Sequence, residues 1–201
     1  MRFLIILLSL LPLFYLGLHF TFNLDWHFPE AIAKFFNHYT FITFHLHLKH
    51  PQAFIHDVLG LSATILLITT LLVTPLNSYL KISFYRHRRL LGIITFFYAL
   101  AHFLVYFIAI QDASVNNLLY AISHKSYIIF GVITFSVITL MALTSNSALY
   151  DKFNAWHKLI YFALITLSLH ILLSQKSIEI DSIIYVSIFV SLLALRTFKR
   201  G

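Results

Sequence analysis

The chain of 201 residues contains no cysteine, and only 10% of its residues are charged. The missing cysteine excludes disulfides, thiolate-ligated zinc, iron–sulfur clusters and a cysteine nucleophile. The low charge excludes an ordinary soluble domain, in which about 25% of residues are charged. What is present instead is 60% hydrophobic residues and a mean hydropathy of +0.86. The composition therefore indicates an integral membrane protein.

Motifs for nucleotide binding and for hydrolysis are also missing. No GxGxxG follows a strand pattern, and neither a Walker loop nor a Ser-His-Asp or HExxH arrangement is visible. The basic segment KISFYRHRR is explained by a position at the membrane surface, so nucleic acid is not needed as a partner. Without a nucleotide-binding motif, the chain is not expected to take hydride from a nicotinamide by itself.

Six apolar runs approach or reach the roughly 20 residues that a membrane-spanning helix needs. They predict an all-α integral membrane protein, one domain of residues 1–201 built as a six-helix bundle with both termini in the cytoplasm. The first run is interpreted as an uncleaved span rather than a signal peptide. The long connection at 23–57 is predicted to hold an amphipathic helix over 30–39 on the membrane surface. The predicted spans are 3–22, 58–80, 90–110, 127–144, 156–174 and 178–196.

Lysine and arginine placement sets the orientation, because cytoplasmic loops carry an excess of both. With the N-terminus inside, ten of the fourteen fall on the cytoplasmic side. These ten are Arg2, Lys81, Arg86, Arg88, Arg89, Lys152, Lys158, Arg196, Lys199 and Arg200. The other four, on the far side, are Lys34, Lys49, Lys125 and Lys176. The far side would be the periplasm of a Gram-negative bacterium.

Twelve histidines are the main candidates for chemistry. His19 lies near the far end of the first span, where we expect it to reach headgroups. Three others, His102, His157 and His170, fall within predicted spans, where an imidazole is costly without a partner. Seven more are interpreted as interfacial residues of the far side: His27, His38, His45, His47, His50, His56 and His124.

His102 and His170 lie at matching depth on two parallel helices. His102 is twelve residues from Leu90 and His170 is thirteen from His157, so both are roughly 18–20 Å from the cytoplasmic end. Two histidines at one depth suit axial ligation of a heme iron. The alternative is that they hydrogen-bond within the bundle as structural polar groups.

His157 and His87 are candidates for a second heme near the cytoplasmic surface, His87 the weaker of the two. On an ideal helix His157 and His170 would point about 140° apart, so they share a face only if the helix is distorted. Arg88, fourteen residues before His102, is better suited to a heme propionate than to the iron. His157 could also be simply an interfacial residue.

Four segments carry a family resemblance: LLITTLLVTPL, RRLLGIITFFYALAHFLVYF, YIIFGVITFSVITLMALTS and WHKLIYFALITLSLH. Their order and spacing resemble the heme-binding membrane subunits of periplasmic methionine sulfoxide reductase systems, the MsrQ family of the ferric-reductase-like transmembrane superfamily. The resemblance covers about residues 60–196, and the first fifty-odd residues do not match in detail.

The resemblance implies a b-type cytochrome with one or two heme b groups and an associated FMN. It implies ligand roles for His102, His157 and His170, whereas His87 is outside the family motif. Arg88 and Arg89 would contact propionates or dock a cytosolic donor. Electrons would pass from quinol or a cytosolic flavin reductase, through the bacterial inner membrane, to a periplasmic molybdopterin enzyme that reduces methionine sulfoxide. The chain itself would hold no catalytic site for that reaction.

Two other functions stay open from the sequence. One is a stand-alone reductase that delivers electrons to ferric ion or another small acceptor. The other is a proton or metal transporter, or a helical scaffold, built on the same histidines. The transporter would be expected to carry acidic residues within its spans, and none of the six predicted spans has one at its centre.

Overall fold

A computed structural model of the chain describes residues 2–22, 51–80, 87–145, 149, 152–175 and 180–197. The predicted surface helix at 30–39 and the histidines of segment 23–50 lie outside these residues. The described part contains α-helices and no strand, which confirms the all-α prediction. The helices are α1 (Arg2–Phe22), α2 (Pro51–Leu80), α3 (Arg88–Val105), α4 (Val115–His124), α5 (Ser126–Leu143), α6 (Ile160–Ser174) and α7 (Ile180–Thr197).

Four helical segments are long and apolar enough to cross a membrane: Gln52–Asn77, Arg88–Ile110, Ser126–Leu143 and Ala155–Ser174. They confirm the second to the fifth predicted spans. At the two ends of the described chain, shorter apolar stretches occupy Leu4–Gly17 and Ile180–Ala194. The count of six spans and the cytoplasmic position of both termini therefore stay predictions.

Two helix boundaries differ from the sequence prediction. Helix α2 begins at Pro51, seven residues before the predicted start, because proline suits the first helical position, where its missing N–H is not needed. The fifth span begins with a 3₁₀ segment, Asn154–Leu159, before α6. The third span keeps its predicted end at Ile110, but its last residues form a π-helical turn, Tyr106–Ile110. These differences place His56 within a helix and His157 within the tighter turn.

Serine and threonine side chains are tolerated in these apolar helices because most donate to a carbonyl of their own helix. Ser62 donates to the carbonyl of Val58 at 2.6 Å, and Ser168 donates to that of Leu164 at 2.8 Å. Such bonds satisfy the hydroxyl where no water is available. The spans can therefore carry many hydroxyls without exposing polar groups to lipid.

Two antiparallel hairpins make up the centre of the bundle. Helix α2 packs most extensively against α3, and α5 packs most extensively against α6. Helix α3 also contacts α5, and α7 contacts both α6 and α2, so these five helices close into a ring. Buried side chains of α2, α6 and α7 form one core cluster, which includes Leu71, Leu164 and Phe189.

Helix α1 packs on the outside of this ring. Leu16 joins Val58, Leu59 and Tyr98 in a second buried cluster, and the Tyr98 hydroxyl donates to the backbone carbonyl of Ser9. Helix α1 therefore packs on the first hairpin, and α7 contacts both hairpins. The surfaces where the two hairpins face each other are the places where functional side chains could lie.

Candidate functional site

His102 of α3 is fixed by a bond to the main chain of α2. Its Nδ1 lies 2.9 Å from the carbonyl oxygen of His56. A carbonyl only accepts hydrogen bonds, so Nδ1 must carry the proton, and in the neutral ring Nε2 keeps its lone pair. Metal-ligating histidines are usually oriented in this way, by donating the other ring N–H to a backbone carbonyl.

His170 of α6 has the same arrangement in the other hairpin. Its Nδ1 lies 2.7 Å from the carbonyl oxygen of Tyr127 in α5. By the same reasoning Nδ1 is the donor and Nε2 is the basic nitrogen. In both imidazoles the lone pair of Nε2 is therefore available to bind a metal.

A glycine lies beneath each ring. A Cβ added at Gly60 would be 2.8 Å from Cε1 of His102, and one added at Gly131 would be 2.8 Å from Nδ1 of His170. Each glycine is four residues after the carbonyl that accepts the bond. We call each combination of glycine and carbonyl an imidazole slot: the first is Gly60 with the His56 carbonyl, and the second is Gly131 with the Tyr127 carbonyl.

The structure brings the two slotted histidines together. The side chains of His102 and His170 lie within electrostatic range of each other. They come from different hairpins and lie near the C-terminal ends of α3 and α6, which the charge distribution predicts to be on the far side of the membrane. The arrangement can present two neutral imidazole nitrogens to one group held between the hairpins.

His56 was grouped with the interfacial histidines, and the structure gives it a more specific place. Its ring stacks on that of His102, with centroids 3.9 Å apart and an angle of 29° between the planes. Only 22% of its side chain is exposed, and its Nδ1 lies 3.3 Å from a carboxylate oxygen of Asp57. The sequence signal for this neighbourhood was the spacing of His56 and Gly60, four residues apart on one helix face.

His157 lies at the opposite, N-terminal end of the fifth span, which is predicted to face the cytoplasm. Its imidazole hydrogen-bonds to the backbone carbonyl of Thr144 and is within electrostatic range of Arg88. His157 and His170 could share a helix face only if the helix were distorted, and the 3₁₀ turn is a distortion that brings their directions closer together. With three residues per turn up to Ile160, the angle between His157 and His170 falls from about 140° to roughly 80°.

His87 lies next to this region and is more enclosed than expected for a weak candidate. It is 7% exposed, and its Nδ1 makes no hydrogen bond within the described part of the chain. It precedes Arg88, which is partly buried, and Arg89, which is exposed. The structure thus separates the predicted residues into two groups at opposite ends of the bundle. His102 and His170 form a pair on the predicted far side, and His157, His87, Arg88 and Arg89 form a group on the predicted cytoplasmic side.

The donor set suits heme better than a bare metal ion. Among the described residues no group of three or more histidine and carboxylate side chains could hold an ion, whereas heme iron needs only two protein ligands because the porphyrin supplies the others. The two slotted imidazoles provide two such nitrogens. The far-side pair therefore fits axial heme ligation.

Comparison with known proteins identifies the family of the chain. Residues 59–173 match the family model described as ferric reductase like transmembrane component. The chain is similar to proteins named protein-methionine-sulfoxide reductase heme-binding subunit MsrQ from Brucella ovis, Brucella canis and Brucella suis. Each is 35% identical over 150 residues, which is 73% of this chain and 68% of the relative. No solved structure gives a significant match. The chain therefore belongs to the MsrQ family of ferric-reductase-like transmembrane proteins.

Proposed function

We propose that this protein is a b-type cytochrome of the bacterial inner membrane, with His102 and His170 as the axial ligands of a heme in its far-side half. The observation that carries the proposal is the repeated slot geometry, in which each Nδ1 donates to a carbonyl and each Nε2 keeps its lone pair. The MsrQ relatives are named for heme binding, which supports it. Bound heme would supply a one-electron carrier in a region of low dielectric constant.

The chain's own residues would bind, orient and insulate this carrier. The carbonyls of His56 and Tyr127 keep the two rings in the tautomer that a metal needs. Apolar helices exclude water around them, and burial is one of the factors that set a heme's reduction potential. No side chain of the site has to exchange a proton in this role.

A second heme near the cytoplasmic surface is part of the proposal, with His157 as a ligand and His87 as a weaker candidate. Arg88 would pair with a propionate, because it is partly buried and within electrostatic range of His157. Its place in the first turn of α3 opposes the helix dipole, so an anionic partner would relieve that cost. Arg89, which is exposed, suits contact with a donor or headgroup.

A groove of about 530 Å³ adjoins this end, and its lining includes Thr144 and Trp156. That volume is within the range of small-molecule and cofactor sites, roughly 300–1,000 Å³. We propose it as the place where a quinol would enter from the membrane, because its lining is mostly apolar. No cationic side chain is among the described lining residues to pair with the phosphate of FMN. Electrons would come from quinol or a cytosolic flavin reductase.

The partner would be a periplasmic, molybdopterin-containing methionine sulfoxide reductase. The names of the MsrQ relatives refer to a protein-methionine-sulfoxide reductase, and this supports the assignment. The sulfoxide would be reduced on the partner, so this chain would act as an electron-transfer subunit that supports repair of oxidised proteins.

The test is a dithionite-reduced minus oxidised visible spectrum, with heme counted per chain. Variants His102→Ala and His170→Ala should lose the far-side heme, and His157→Ala should keep it. His124→Ala is the control, because this exposed histidine bonds only within its own helix turn. A colourless wild-type protein, purified from cells supplied with heme, would contradict the proposal.

One observation favours a second function: the matching family model is described by ferric reductase. A stand-alone reductase would deliver electrons to ferric ion without a protein partner. Deleting the gene for the periplasmic partner separates the two, because reduction of added ferric chelate would persist only in a stand-alone enzyme.

A further inference from the structure

We propose that Gly60 and Gly131 are positioning residues for the two heme ligands. Each lacks a side chain so that an imidazole from the neighbouring helix can reach the carbonyl four residues earlier. The inference rests on the proposed heme site and names the parts of the chain that aim its ligands.

The nearest contacts at both glycines are made by the histidine rings. For a Cβ at Gly60, the three nearest atoms are Cε1, Nδ1 and Nε2 of His102, at 2.8, 2.9 and 3.5 Å. For Gly131 they are Nδ1, Cε1 and Cγ of His170, at 2.8, 2.9 and 3.6 Å. No backbone atom is among them, so an added methyl group would meet the imidazole and nothing else at that distance.

An alanine at either position would displace the ring. Carbon atoms in favourable contact are about 3.5–4.0 Å apart, so the ring would have to retreat by about 0.7 Å or more. The Nδ1–carbonyl distances are now 2.9 Å for His102 and 2.7 Å for His170. A retreat of this size takes them to or beyond the limit of a hydrogen bond.

Loss of that bond would affect the ligand in two ways. The ring would no longer be held in the tautomer that leaves Nε2 basic, and its orientation would no longer be fixed. Changes to groups that orient metal ligands typically weaken metal affinity by about 10–100-fold. We expect heme affinity to fall by about this factor in Gly60→Ala and in Gly131→Ala.

Two other glycines of the described helices provide matched controls. At Gly92 the nearest atom to an added Cβ is a methyl carbon of Thr70 at 3.9 Å, an ordinary contact, and at Gly17 nothing lies within 4 Å. Because alanine favours the helix more than glycine does, Gly92→Ala and Gly17→Ala should leave heme affinity and thermal stability unchanged or slightly higher. The slot variants are therefore expected to lower heme affinity, whereas the controls are expected to leave it unchanged or slightly higher.

The first experiment titrates hemin into apoprotein of the wild type, the two slot variants and the two controls, and records the ferric spectrum and its electron paramagnetic resonance. The expected result is weaker binding and a changed ligand-field signal in the slot variants alone. A wild-type protein that binds no heme overturns the proposed function. A wild-type protein that binds heme, with slot variants binding it as tightly as Gly92→Ala, overturns the positioning role alone.

The second experiment needs no heme and separates ring displacement from general damage to helix packing. Gly60→Ala is measured in the wild type and in a His102→Ala background, with thermal unfolding of the apoprotein as the readout. The imidazole of His102 is the nearest group to the added methyl. We therefore expect Gly60→Ala to lower the thermal stability of the wild-type protein and to leave that of the His102→Ala protein unchanged. An equal loss in both backgrounds would show that Gly60 serves helix packing, and would overturn the inference.

Discussion

A buried pair of threonines joins α5 to α6 and allows a quantitative test of the hairpin that holds His170. The hydroxyls of Thr134 and Thr166 lie 2.7 Å apart, and both side chains are buried. Thr166→Val removes one hydroxyl at nearly constant volume. Thr134 keeps its bond to the carbonyl of Phe130 at 2.8 Å, so the change removes the bond between helices together with the longer contacts of Thr166 to carbonyls of its own helix, at 3.1 and 3.3 Å.

The expected loss is about 0.6 kcal/mol of unfolding free energy and at most about 1.7 kcal/mol, the range measured for hydrogen bonds between membrane helices. The other hairpin provides a graded comparison. Thr70 and Thr95 are 3.5 Å apart, at the outer limit of a hydrogen bond. Thr95→Val should therefore cost less than half as much as Thr166→Val.

The assay is reversible unfolding in detergent micelles with a rising fraction of sodium dodecyl sulfate, followed by helical circular dichroism. Thr69→Val is the matched control, because this exposed threonine donates only to a carbonyl of its own helix. Equal losses in Thr69→Val and Thr166→Val would refute the reasoning, since the hydroxyl would then matter within its helix rather than between helices.

Three further predictions concern the site and the orientation. His56→Ala should retain heme, because the carbonyl that accepts from the ligand is unchanged, and should lose the ring stack, worth about 0.5–1.5 kcal/mol, together with the contact to Asp57; loss of heme would contradict this. Arg88→Gln should lower the midpoint potential of the cytoplasmic-side heme, since a nearby positive charge favours the reduced form. Redox titration should show a smaller shift for Arg89→Gln, whose native side chain is exposed. Because the chain has no cysteine, a membrane-impermeant maleimide should label Ser123→Cys from the periplasmic side and Lys152→Cys only after permeabilisation; the reverse pattern would invert the topology.

Apolar run length was enough to predict the helical spans of the centre. A run of about twenty apolar residues has few structures open to it in a membrane, because every backbone group must be satisfied within the segment. Because the spans must be helical, the depth of a residue in the membrane follows from its position in the sequence and the fixed rise per residue. His102 and His170 could therefore be predicted as a pair before any contact was known. The first and last predicted spans are not among the four helical segments of the described chain that are long and apolar enough to cross a membrane, so they stay predictions from the apolar runs.

The imidazole slots could not be predicted from the sequence. Gly60 and Gly131 have no pattern of their own, and their importance depends on which face of α2 or α5 meets the neighbouring helix. The helical rotation that decides this is set by packing between helices rather than by hydropathy. The stack of His56 on His102 was not predicted for the same reason, because it depends on α2 beginning at Pro51 and on the face that α2 turns toward α3.

The completion of each slot within one hairpin has a consequence for how the protein is made. The first slot needs only α2 and α3, so its imidazole can be aligned while the later helices are still being synthesised. The second slot is assembled in the same way from α5 and α6. Each hairpin can thus align its own imidazole before the two hairpins pack together, and a heme bound between them would be captured only after both hairpins have formed.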